Sequence, residues 1–95
     1  MTSPFPPDEV LESARIDPAH VTLLDGRIPN WRVVVGDQPA VLKRDWHCDV
    51  SDIAWEHAFL TRLARTGFPA PRPIMAFAGQ SWLVVGGTLW TLVSF

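Results

Sequence analysis

Apolar positions along the chain change their spacing three times, and each change marks an element. From His20 to Leu24 and from Trp31 to Val35 they form short β-branched or aromatic runs, as strands do. Turn-rich residues, Asp25-Gly26-Arg27-Ile28-Pro29-Asn30, separate those runs, and Gly36-Asp37-Gln38 turns the second into a third, Ala40 to Arg44, with Pro39 at its entrance. Between Asp49 and Arg65 the spacing becomes helical: Ile53, Phe59, Leu60 and Leu63 fall on one stripe, and Asp49 or Ser51 supplies the N-cap. At 100° per residue Glu56 is placed near the middle of that stripe, on the buried side. Gly67 ends the helix as a left-handed cap, with Phe68 folding back on the last turn.

Pro69, Pro71 and Pro73 impose an extended crossing. Ser81 to Val85 and Leu89 to Phe95 are two further strands joined at Gly86-Gly87-Thr88, apolar on both faces as in a sheet covered on two sides. Ahead of all this, Met1 to Pro7 reads as an extended lead, and Asp8-Glu9 open a short helix to about Arg15 that Asp17-Pro18 closes. The fold class expected is α+β: a five-stranded antiparallel sheet with one packed helix, preceded by a short N-terminal helix. Residues 1–15 form an N-terminal extension and residues 16–95 the domain proper.

Composition narrows the function classes. Ninety-five residues suffice for one core. A net charge of -2 provides no basic patch, which argues against nucleic acid as partner. The single cysteine, Cys48, excludes an internal disulfide and fits a reducing compartment, and no apolar run reaches the ~20 residues of a membrane helix. A cytoplasmic domain is expected, with no membrane partner.

The candidate chemistry rests on a lysine and a carboxylate. Val41 and Lys43 are two apart on one strand and leave the same face. A carboxylate on the packed face of the helix loses hydration unless paired, and Lys43 is the nearest cation in this topology. A Lys–Glu pair that steadies an ammonium against phosphate oxygens is the arrangement of protein kinases. The loop Asp25 to Asn30 offers backbone N–H groups to the same phosphates.

Taken in order, Gly26-Arg27-Ile28-Pro29-Asn30-Trp31-Arg32-Val33, Ala40-Val41-Leu42-Lys43-Arg44, Glu56-His57-Ala58-Phe59-Leu60 with Leu63, Gly67-Phe68-Pro69-Ala70-Pro71-Arg72-Pro73-Ile74 and Leu89 to Phe95 resemble the N-terminal lobe of the aminoglycoside phosphotransferase / choline kinase-like superfamily, across residues 20 to 95. The resemblance implies a protein-kinase-like N-lobe that binds ATP for transfer of its γ-phosphoryl group to a hydroxyl acceptor. It implies that Lys43 contacts the α/β-phosphates, that Glu56 orients Lys43, that Val41 roofs the adenine, and that Gly26 and Asn30 lie over the phosphates. Leu89 to Phe95 resembles the strand leading into the adenine-binding hinge.

The departures are a single loop glycine, Gly26, and the absence from residues 1–95 of the family's catalytic Asp and metal ligands. No catalytic residue and no metal site is therefore assigned, Mg2+ is expected only with a second lobe supplied, and the chain alone is expected to be inactive. The alternative is a non-catalytic lobe, an interaction module or gene remnant, docking on a C-lobe or another chain through Leu89 to Phe95, a strand expected to leave Trp90, Leu92, Val93 and Phe95 uncovered.

Other constellations have plainer explanations. His47-Cys48-Asp49 imitates the start of a kinase catalytic loop, but the position that needs a metal-binding Asn holds Ala54. His47, Cys48, Asp49, Asp52 and His57 match no common zinc spacing, and the two aspartates serve better as helix caps. Trp31, Trp82 and Trp90 lie in strands and read as packing residues, with Trp46 the more exposed candidate.

Overall fold

The computed structural model describes residues 5–24, 29–45 and 49–95, and for Asp45 the backbone alone. The elements are α1 (Asp8–Ser13), a single 3-10 turn (Pro18–His20), β1 (Thr22–Leu24), β2 (Asn30–Val35), β3 (Gln38–Asp45), α2 (Val50–Arg65), β4 (Trp82–Val85) and β5 (Thr88–Ser94). The sheet is antiparallel with strand order β1-β2-β3-β5-β4, so β5 is internal and α2 is the crossover between β3 and β4. The expected α+β class with five strands and one principal helix is observed.

Register sorts the side chains onto two faces. Trp31 lies opposite Leu42, Val33 opposite Ala40, and Leu42 opposite Leu92. These residues and Trp90 are buried, and they form the main apolar cluster together with Val10, Leu11, Ala14 and Ile16. The N-terminal helix is thus part of the core rather than an appendage, and Pro6 is fully buried with it. Burying a side chain the size of Val, Leu or Ile contributes about 1.5–3 kcal/mol, so Val10, Leu11 and Ile16 weigh heavily in so small a domain. Arg44 closes the end of this face, with its guanidinium 5.8 Å from the Trp31 ring centre and 6.0 Å from that of Trp90.

The other face carries the row Asn30–Lys43–Thr91 and, next to it, Arg32–Val41–Val93. α2 lies over this face, and Ile53, Leu89 and Val93 are buried there outside the main cluster. The expectation that both terminal strands lie in a sheet covered on two sides is met for β5 and not for β4, an edge strand with Val84 exposed. The uncovered terminal strand, by contrast, is corrected: Leu89, Trp90, Leu92 and Val93 are all buried, Trp90 and Leu92 in the cluster that includes α1 and Val93 on the face that α2 covers, with β5 internal between β3 and β4. Phe95 alone of that segment stays exposed, at 67%, with the Arg32 guanidinium 5.2 Å from its ring centre.

The helix ends follow the sequence signals. Asp49 caps α2 through its carboxylate, which accepts from the Ser51 N–H at 3.3 Å. At the other end Gly67 has φ +80°, Phe68 N–H donates to Leu63 C=O and Gly67 N–H to Ala64 C=O, the paired bonds of a Schellman cap. α1 ends with the same two bonds, Ile16 to Leu11 and Arg15 to Glu12, but with Arg15 at φ +56° where glycine is favoured. The proline-rich crossing is held to β5: Ile74 N–H donates to Leu92 C=O at 3.0 Å, and Ser94 N–H to Arg72 C=O at 2.8 Å.

Candidate functional site

A cavity of about 170 Å³ opens between α2 and the covered face of the sheet. Lys43 and Thr91 enter it from adjacent strands, Glu56, His57, Ile53 and Leu60 from α2, and Pro71 and Val93 close its far side. Lys43 is opposite Asn30 on one neighbour and opposite Thr91 on the other, so a row of ammonium, amide and hydroxyl crosses three strands. Val41, two residues before Lys43, faces the same way beside Val93, as period-two alternation requires.

Of the residues expected at a nucleotide site, Lys43 and Glu56 therefore share one cavity, with Asn30 and Val41 beside Lys43 on the same face. Gly26 lies outside the described residues. So do Trp46, His47 and Cys48.

Glu56 departs from its expected placement. It is exposed and flanks the buried stripe of α2, whose inward residues are Ile53 and His57, with Leu60 and Ala64 half-buried. At 100° per residue Glu56 lies about 80° from the middle of that stripe, so its carboxylate approaches the cavity from the solvent side. Among the described residues no ion pair joins Glu56 to Lys43; the two bracket the cavity without closing on each other. The misplacement has a clear cause. Phe59, which helical spacing places on the stripe, is 46% exposed and stacks in parallel on Trp55, itself 71% exposed, with ring centres 5.7 Å apart. His57, a polar letter in the pattern, takes the inward position instead.

His57 is the residue that sequence reasoning missed. It is buried, and its Nδ1 is hydrogen-bonded to the Ser81 hydroxyl, itself fully buried at the approach to β4. A buried imidazole without such a partner costs about 1–3 kcal/mol, which explains why a hydroxyl stands opposite it. One turn later Thr61 Oγ1 donates to the His57 carbonyl at 2.9 Å. Nothing in one-dimensional spacing links positions 57 and 81.

Chemically the cavity is a small donor-rich recess. Lys43 brings three N–H donors and Thr91 a hydroxyl, with the Glu56 carboxylate at the border, while Asn30, beside Lys43 on the same face, has its acceptor Oδ1 buried without a hydrogen-bond partner. A compact anion fits this set; a volume of 170 Å³ is below that of sites enclosing a whole small molecule, about 300 Å³ upward. Among the described residues no three His, Cys, Asp or Glu side chains gather to hold a metal ion, and no helix is long and apolar enough to cross a membrane. Comparison of the chain with protein-family models, with curated proteins and with solved structures finds no match.

Proposed function

We propose that the chain is a nucleotide-binding lobe of a small-molecule kinase, holding ATP phosphates at Lys43. The observation that carries this reading is the convergence of Lys43 and Glu56 on one recess from a central strand and from the crossover helix. Lys43 supplies the charge for the phosphate oxygens. Asn30 and Thr91, its cross-strand neighbours, add neutral donors, and Val41 provides an apolar surface for the base outside the recess. Glu56 steadies the ammonium once phosphate draws Lys43 inward. The recess takes a phosphate group and leaves the nucleoside on the open side. In the family that the sequence resembles, the γ-phosphoryl group goes to an alcohol by positioning and charge neutralisation. Residues 1–95 contribute the binding half of that machinery and no group for the transfer step.

The test is binding rather than turnover. ATP added to the 95-residue chain raises the melting temperature, and Lys43→Ala, an exposed position, removes that shift without lowering the ligand-free melting temperature. An unchanged ATP response in Lys43→Ala would end the proposal. A second reading, a non-catalytic interaction module, is favoured by the stacked and exposed Trp55–Phe59 pair on the outer side of α2. It requires concentration-dependent association that Trp55→Ser with Phe59→Ser abolishes and Lys43→Ala leaves intact.

A further inference from the structure

A second cavity, of about 280 Å³, lies between the last turns of α2 and the extended crossing, apart from the Lys43 recess. It is lined by Ala64, Pro73 and Met75, by Thr61, and by two arginines, Arg65 from the helix and Arg72 from the crossing. Among the described residues neither arginine has a carboxylate partner, and the lining itself contains no acid. Met75 is 53% exposed, so its side chain is open to a ligand from solvent.

Both lining segments are stiff. Arg72 is bonded through its N–H to Ser94 Oγ and through its C=O to the Ser94 N–H, each at 2.8 Å, while Pro73 pairs with Val93. On the helix side the Schellman bonds occupy the Leu63 and Ala64 carbonyls, which reduces the negative field that a helix C-terminus presents. A guanidinium presents a planar fork of donors that matches a carboxylate or phosphate, and two of them in one lining with apolar side chains select a ligand with one anionic end and an apolar body.

We infer that this groove is a binding site for an amphipathic organic anion, its head held between Arg65 and Arg72 and its hydrocarbon body on Ala64, Pro73 and Met75. The site is independent of the nucleotide reading. It shares α2 with the Lys43 recess, since Leu60 lines one cavity and Thr61 the other.

Octanoate is the probe, titrated into the isotope-labelled 95-residue chain by NMR. Saturable shifts are expected at the Met75 methyl, the Ala64 methyl and the Arg65 and Arg72 side-chain N–H signals. Octanol, with the same body and no charge, binds about tenfold or more weakly, as the loss of charge-assisted hydrogen bonds demands. Arg65→Gln with Arg72→Gln weakens octanoate to the octanol level, and Met75→Gln weakens both ligands, which provides a second variant should the double one fail to fold. Lys43→Ala leaves octanoate binding unchanged. Equal affinity for octanol and octanoate, shifts centred on Thr91 and Ile53 instead, or loss of binding in Lys43→Ala would each overturn the inference.

Discussion

Removal of the Ser81 hydroxyl probes what holds α2, and therefore Glu56, against the sheet. Only Ile53 and His57 of α2 are buried, and the His57–Ser81 bond joins the helix to the chain entering β4 across 24 residues. Ser81→Ala deletes a fully buried partner and strips His57 of that bond; the cost is about 1–3 kcal/mol, the range for losing a hydrogen-bond partner at a buried polar group. His57→Leu does the reverse, leaving the Ser81 hydroxyl buried without the imidazole, at a similar cost. The double variant replaces both polar groups by apolar ones and is expected to cost much less than the sum, because nothing is left orphaned. Urea unfolding of the four proteins yields the coupling energy directly, expected at about 1.5 kcal/mol or more. Amide exchange should report the same event locally, with faster exchange over Val50–Arg65 in Ser81→Ala than in the sheet. Additive single effects, with a coupling below about 0.5 kcal/mol, would show that the bond does not anchor the helix.

Four further outcomes follow from the geometry. Leu11→Ala, at a fully buried position of α1, should cost about 2–5 kcal/mol in chemical unfolding, the same range as Leu42→Ala in β3, because both side chains belong to one cluster. A negligible Leu11→Ala effect would make the N-terminal segment a separable extension after all. Ala78 has φ +51° in the tight turn between Phe77 and Gln80, where both cross-turn N–H···O=C bonds measure 2.9 Å, so Ala78→Gly should stabilise by up to about 1 kcal/mol on thermal unfolding despite glycine's larger unfolded-state entropy. Gly67→Ala works in the opposite direction: the added Cβ meets no atom within 4 Å, yet the left-handed φ of +80° should cost about 1 kcal/mol by the same assay. Glu56→Gln should change global stability by less than about 0.5 kcal/mol in urea, as an exposed and unpaired residue does; under the proposed nucleotide site it should also lower the thermal shift that ATP is expected to produce.

Much of the architecture was legible in the chain because the relevant signals are local. The turns at Gly36 and at Gly86-Gly87, the Asp49 cap, the Gly67 stop and the length of α2 each depend on residues within a few positions of one another. The segment boundaries moved slightly: β1 begins at Thr22 after a 3-10 turn that takes up His20, β2 includes Asn30, and β3 runs from Gln38 through Pro39 to Asp45. The pairing of Lys43 with a face shared by Val41 was likewise readable, since alternation along one strand needs no partner to define it.

What the chain alone could not decide is which of two candidate faces of an element meets which neighbour. The amphipathic pattern of α2 contains two apolar sets, Ile53-Leu60-Leu63 and Trp55-Phe59, and helical periodicity cannot rank them when a histidine lies between. The tertiary structure ranks them through Ser81, a hydroxyl far along the chain that makes burial of His57 affordable in free energy and turns the aromatics outward. The same non-locality governs β5: its apolar sequence allowed either an uncovered terminal strand or an internal one, and only pairing with both β3 and β4 made it internal. The sequence by itself determined the elements, the caps and the Lys43 face. The tertiary structure decided the facing of α2, the burial of α1 and β5, and hence a Glu56 that borders the recess instead of lying inside it, because desolvation acts on contacts between segments rather than on neighbours in the chain.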